Sequence, residues 1–265
     1  MKKKGIALVE RQYLFPFVLI TSLFFLWGFA HAILDVLNKH FQELLTITRT
    51  HSAMIQATMY MGYFIMAIPA GLFINRHGYR RGVVLGLLLY GTGSLLFIPG
   101  QYIASFNMFL FSLFVIGCGL TFLETAANPY VTELGARETA ASRLNFAQSF
   151  NGLGCIFAPI LTGLLLFSDD DKGAGGNVAL PYAVMGVVVL LAALAFVRVP
   201  LPEIPHEEEV DSEGRRVSLW SHKLFVFGLA ALFAYEVAEI SINSFFINYV
   251  TEVGWMNARD ASLVL

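Results

Sequence analysis

The sequence predicts an all-α transmembrane protein, and three observations carry that prediction. Hydrophobic residues make up 57% of the 265 residues and charged residues only 14%, whereas soluble domains carry about 25% charged residues. The apolar residues are gathered into runs that match the ~20 residues one helix needs to cross a bilayer. Lys and Arg are also divided unevenly between alternate loops, the asymmetry that sets orientation in a membrane. The mean hydropathy is +0.66. A net charge of −2, without a basic stripe interleaved with aromatics, argues against a nucleic-acid partner.

Taken in order, the first apolar run covers 14–37 and follows "MKKKGIALVERQ". It is too long for the apolar region of a secretory signal, and no small-x-small cleavage site closes it, so it reads as a retained first span. Further spans are expected at 52–75, 82–101, 107–132, 145–167, 178–199 and 224–250. The connections are short except 200–223, "PLPEIPHEEEVDSEGRRVSLWSHK", which reads as a charged, Pro-bearing linker. Its acidic run Glu207 to Glu209 reads as a solvated face. "SDDDKG" at 168–173 lacks the alternating ligand spacing of a calcium loop. Cys118 and Cys155 lie within apolar runs, where cysteines behave as small packing residues. They suggest neither a disulfide framework nor a zinc site, and no metal or cofactor is expected.

Of the 17 Lys and Arg residues, 13 fall in the N-terminal segment and every second loop after it, and 4 fall in the opposite set. The N-terminus and the 200–223 linker are therefore expected in the cytosol. That orientation argues against a seven-helix receptor or a retinal protein. The seventh span also lacks a deep lysine, since Lys223 only marks its edge.

Acidic groups inside the spans follow a pattern. Asp35 lies in the first, Glu124 in the fourth, and Glu236 with Glu239 in the seventh, while the interiors of the third and sixth hold none. A carboxylate at mid-bilayer costs about 2.5–3.5 kcal/mol on insertion scales and normally faces a cavity or a partner. A spacing of three helices matches a fold of three-helix units whose first helix lines a central cavity, as in transporters. Helical spacing gathers polar residues into single stripes. These are His31, Asp35 and Asn38; Gln56, Tyr60 and Tyr63; Thr121, Glu124 and Asn128; Asn145, Gln148 and Asn151; and Glu236, Glu239 and Asn243. Amides, carboxylates and aromatic faces around a wet cavity suit a polyhydroxylated ligand, whose hydroxyls both donate and accept.

The candidate substrate contacts are Glu124, Asn38, Gln56, Tyr60, Asn128, Asn145, Gln148, Asn151 and Glu239. Blander readings stand beside them. Each amide can bond a neighbouring helix, worth about 0.6 kcal/mol on average. Tyr60 and Tyr63 can be packing residues, and His31 a structural partner of Asp35. Glu124 can be a structural buried acid, and Asp35 a solvated residue at the mouth. By helical rise Glu124 lies roughly 17 Å deeper than Asp35. Two acids at two depths can divide proton exchange and substrate binding between them.

"GLFINRHGYRR", Gly71 to Arg81, resembles the loop between helices two and three of the major facilitator superfamily. Asn75 stands where that loop carries an acid, while Arg76, Gly78, Arg80 and Arg81 match. The resemblance implies a cytosolic gating loop made of Gly71, Asn75, Arg76, Gly78, Arg80 and Arg81. "FFLWGFAHAILDVLNKHF", "IQATMYMGYFIMAIPAG", "LETAANPYVTELG" and "RLNFAQSFNGLG" together resemble the fucose–galactose–glucose:proton symporter family, in its L-fucose-permease-like branch. It covers most of 24–165 and continues weakly through "YEVAEISINSFFINY". Proton coupling through Asp35 and Glu124 is implied, with sugar binding at Glu124. Better-known members often carry asparagines where this chain has His31, Ala32 and Leu34.

The resemblance also implies a multi-pass, monomeric sugar transporter of a bacterial inner membrane, with protons and a sugar as its partners. Residues 1–199 are then expected to form the N-terminal six-helix bundle and 200–223 the cytosolic linker. Residues 224–265 supply the first helix of a second bundle and the start of the next. Ending at "ARDASLVL", the chain is expected to be a fragment or a truncated product. Three alternatives remain open. A non-transporting or degenerate sugar-binding membrane protein is one, and an exporter of another small molecule, with a more apolar cavity, is a second. An intramembrane enzyme using Glu124 or His31 is the third, disfavoured because neither His-Glu-x-x-His nor Gly-x-Ser-x-Gly occurs.

Overall fold

The structure is a computed structural model and describes residues 7–44, 46–166, 178–198 and 219–265. Among these, every long element is an α-helix: α1 (Leu14–Leu44), α2 (Arg49–His77), α3 (Tyr79–Leu95), α4 (Phe97–Ile103), α5 (Phe106–Glu133), α6 (Ala140–Leu166), α7 (Ala179–Arg198), α8 (Lys223–Glu252) and α9 (Ala258–Val264). Each of the seven expected spans falls on helix, the third divided between α3 and α4. Most of the expected linker, with Glu207 to Glu209, and the 168–173 stretch lie outside the described residues. Six helical segments among the described residues are long and apolar enough to cross a membrane.

Local chemistry explains the element ends. The Thr48 side chain accepts the amide of His51 to start α2, and Ser105 accepts that of Met108 to start α5, satisfying donors a helix start leaves open. Gly78 joins α2 to α3 at φ +85°, a backbone conformation that favours glycine. The third span breaks into α3 and α4 around Leu96. Pro99 lacks the amide that would bond the Leu95 carbonyl, so the ladder is interrupted there. α1 runs to Leu44, past the expected end at 37, because its last turns stay packed: Asn38, His40 and Phe41 are all buried.

The helices approach closely through small residues, the usual solution where lipid gives no hydrophobic drive to pack. α1 lies along α6, where a Cβ on Gly154 would sit 2.3 Å from the Phe25 carbonyl oxygen. α5 is held between α2 and α3. A Cβ on Gly117 would meet the Met59 carbonyl at 2.3 Å, and one on Gly119 the Gly86 carbonyl at 2.6 Å. α7 closes on the outer side of α3. At one end of the bundle Arg143 is fully buried. It donates to the carbonyls of Val131, Thr132, Ala136 and Leu8 and to the Thr139 hydroxyl.

α8 stands apart from this bundle along half its length. Lys223 to Glu239 are exposed throughout, whereas Ser244, Ile247, Asn248 and Val250 are buried. The buried part of α8 packs on α1, and α9 packs on α6.

Candidate functional site

α1, α2, α5, α6 and α8 enclose a cavity of about 470 Å³, within the range of small-molecule sites. The polar stripes converge on it. Asp35, Gln56, Tyr60, Glu124, Asn151 and Glu239 all line it, so six of the expected site residues share one wall. They come from different heights along their helices, from the second turn of α2 at Gln56 to past the midpoint of α1 and α5 at Asp35 and Glu124.

Backbone closeness sets the α1–α6 side. A Cβ on Gly28 would lie 2.1 Å from the Asn151 carbonyl oxygen, so only glycine lets α6 bring Asn151 this near to the acid stripe. Cys155, one turn further, also lines the cavity, its Sγ 3.6 Å from the Gly28 carbonyl. The Asp35 carboxylate is held by two helices: its Oδ1 accepts from Gln56 Nε2 at 2.9 Å and from the Ser244 hydroxyl at 3.4 Å. Glu236 and Asn243 join Glu239 on the α8 face.

The charge balance of the wall is one-sided. Four carboxyl groups line it and, among the described residues, no Lys or Arg does. Such a wall disfavours anions and favours cations over them.

Other expected contacts lie elsewhere. Asn38 is fully buried past the cavity, where it donates to the Ser244 carbonyl and accepts from Gln42 at 3.3 Å. Its i+3 step from Asp35 carries it onto the α1–α8 contact. Asn128 sits one turn beyond Glu124, in a recess it shares with Tyr63, Thr121 and Thr125. Its buried Oδ1 has no hydrogen-bond partner. Asn145 is exposed and Gln148 half-buried, and neither lines the cavity, because they lie about two turns and one turn before Asn151, respectively.

In the expected gating segment, Gly71 and Gly78 are half-buried while Asn75, Arg76 and Arg81 are exposed. Arg80 bonds the Phe196 carbonyl at 3.1 Å and the Val197 carbonyl, which ties the start of α3 to the end of α7. His31 does not pair with Asp35: its Nδ1 lies 3.1 Å from the Trp27 carbonyl.

Sequence reasoning missed Trp27, Cys155 and Ser244. Trp27 was within reach, since it precedes His31 by four residues on the same stripe. Ser244 gave no such signal, because only the packing of α8 on α1 brings it to Asp35.

The sequence profile of the Major Facilitator Superfamily matches residues 17–265. A glucose/galactose transporter of Brucella abortus biovar 1 (strain 9-941) is 36% identical over 259 residues, covering 96% of this chain and 63% of that protein. An L-fucose-proton symporter of Escherichia coli (strain K12) is 35% identical over 278 residues, covering 96% and 64%. A crystal structure of a Major Facilitator Superfamily transporter in the outward conformation superposes with a TM-score of 0.69 at 34% identity, covering 95% of this chain and 67% of that one. The chain thus spans a little under two thirds of the length of these curated relatives.

Proposed function

The chain belongs to the Major Facilitator Superfamily, and on that premise we propose that it carries the proton- and sugar-binding part of a monosaccharide:proton symporter. Its substrate is of the fucose, galactose and glucose class, the sugars named for its relatives. Residues 1–199 act as the N-terminal bundle, 200–223 as a cytosolic linker, and 224–265 as the opening of the second bundle. The N-terminus faces the cytosol of a bacterial inner membrane. The protein moves solute and does no covalent chemistry.

The observation that carries this reading is the shared wall: Asp35 and Glu124 face the same cavity as Gln56, Tyr60, Asn151 and Glu239. The amides and the tyrosine hold sugar hydroxyls, which donate and accept in turn. Asp35 and Glu124 take up the coupled proton. A neutralised carboxyl removes the cost of carrying a buried charge while the cavity closes on one side and opens on the other.

In the proposed orientation, the buried half of α8 lies on the external side and its exposed half on the cytosolic side. In that orientation the contact of α8 with α1 closes the external side of the cavity. Asn38 serves that closure rather than the sugar, while Asn128, Asn145 and Gln148 line the route toward the cytosol.

The test is uptake of labelled fucose, galactose and glucose by the full-length protein in proteoliposomes at two external pH values. An inward proton gradient is expected to drive accumulation of at least one, and a protonophore to abolish it. Sugar binding without flux would replace this reading with that of a sensor. Efflux of an apolar solute, with no sugar uptake, would replace it with that of an exporter.

A further inference from the structure

The aromatic side of the cavity is built around one histidine. The His31 ring lies 5.8 Å from that of Trp27 at 72°, 5.6 Å from that of Tyr63 and 6.2 Å from that of Tyr60. Trp27 Nε1 donates to the Tyr63 hydroxyl at 3.0 Å, and the Tyr60 and Tyr63 rings stand 5.9 Å apart. All four residues line the cavity. The cluster is thus cross-braced between α1 and α2, with the imidazole at its centre.

The bond to Trp27 decides what the imidazole can offer. A carbonyl oxygen only accepts, so the contact at 3.1 Å to His31 Nδ1 places the proton on that nitrogen. In the neutral ring, Nε2 is then an acceptor without a proton. His31 is half-buried, and Nε2 is its one polar atom left for a ligand. The carboxyl groups on the wall also accept, but Asp35 already holds Gln56 and Ser244. The His31 nitrogen is a neutral acceptor fixed by three rings and a backbone carbonyl.

We propose that His31 is a specificity-determining residue of this site: its Nε2 accepts a hydrogen bond from one ring hydroxyl of the bound monosaccharide, whose C–H face lies on Tyr60 and Tyr63. The site therefore takes sugars that carry this hydroxyl and discriminates against the analogue lacking it, because a buried acceptor left unpaired is costly. The inference rests on the transporter reading above and adds to it the group that chooses among sugars.

The test uses the full-length protein in proteoliposomes, with the best transported sugar and its monodeoxy analogues as competitors. In the wild type, one analogue is expected to compete about tenfold or more worse than the parent. His31→Phe keeps a ring and removes the acceptor. It should raise KM for the parent by about tenfold with kcat little changed, and it should erase the penalty for that one analogue. His31→Gln, which restores an acceptor, should recover part of both. A purely structural histidine would weaken all analogues alike, so a wild-type ranking in His31→Phe overturns the proposal. Should His31→Phe fail to give monodisperse protein, His31→Leu, which also removes the acceptor, decides by the same ranking, and an unchanged ranking overturns the proposal. A wild-type protein that neither moves nor binds any of the sugars overturns the transport reading itself. Wild-type transport with an unaltered mutant ranking overturns only the role of His31.

Discussion

The hydroxyl of Ser244 donates to Oδ1 of Asp35 at 3.4 Å, joining α8 to α1 at an acid that lines the cavity. The contacts around it lie on the same side. Asn38 donates to the Ser244 carbonyl, Arg49 of α2 pairs with Glu252 at the end of α8, and Ser262 of α9 packs over Gly163 of α6. Arg49 and Glu252 are largely exposed, so their pairing contributes little by itself. The buried bonds at Ser244 hold the junction, and through them the Asp35 carboxyl takes part in closure on this side.

Asp35→Asn tests that link. The amide keeps an oxygen that can accept from Gln56 and Ser244, so the junction should still form. It cannot exchange a proton, so accumulation against a sugar gradient should be lost while exchange of labelled sugar between equal pools persists. The measurement is a pair of assays, proton-driven uptake and counterflow, on one preparation. Unchanged pH dependence of uptake would remove Asp35 from coupling.

Glu124 lies on the wall between the cavity and the recess that holds Asn128. Glu124→Gln mimics a permanently protonated acid with near-identical shape. Energised accumulation should fall at least about tenfold, while counterflow should stay partly intact, the pattern expected when only the charge-dependent step is removed. Wild-type accumulation driven by a proton gradient in this variant would rule out its coupling role.

Cys155 lines the cavity, whereas Cys118 is 3% exposed in the core. A small maleimide should therefore modify Cys155 and leave Cys118 intact under native conditions. Saturating sugar should slow that modification several-fold, read by mass spectrometry of intact protein. Labelling that ignores every transported sugar would place the substrate away from α6.

Arg143 is a buried cation with no carboxylate among its hydrogen-bond partners in the described residues, where four backbone carbonyls and a hydroxyl satisfy it. Arg143→Ala would strand those acceptors and should cost about 3 kcal/mol or more. Arg143→Lys should rescue little, since a point ammonium cannot span acceptors on α5, in the connection after it and in the N-terminal segment. Thermal unfolding in detergent reads both variants. A loss within about 0.5 kcal/mol for the alanine variant would show that water replaces the guanidinium.

Much of this was legible in the sequence where helical periodicity carries the information. The seven apolar runs became helices, and Asp35, Gln56, Tyr60, Glu124, Asn151 and Glu239 met at one cavity because each occupies the inward stripe of its helix. Stripes give direction but not depth, so Asn38, Asn145 and Gln148 share a face with cavity residues yet fall above or below the cavity. Arg143 entered the sequence reading only within the count of loop Lys and Arg residues. Its burial depends on carbonyls left free at the end of α5 and on the Leu8 carbonyl, 135 residues away. Charge counting cannot see such a partner. The same holds for Ser244, whose role exists only in the contact of α8 with α1.

That contact also supports a direct test of movement. Asn38 and Ser244 touch through a side chain and a backbone carbonyl while both are buried. Paired Asn38→Cys and Ser244→Cys substitutions, with Cys118 and Cys155 replaced by serine, should form a disulfide under mild oxidation when this side is closed. If transport requires the two helices to part here, the oxidised protein should lose uptake and counterflow together, and reduction should restore both. Because Ser244→Cys keeps the backbone carbonyl, Asn38→Cys alone controls for loss of the Asn38 bond. It should weaken closure and favour the outward-open state, seen as faster modification of a cysteine placed at Gln56. Full transport by the cross-linked protein would show that α1 and α8 move as one body and that the junction at Ser244 is no gate.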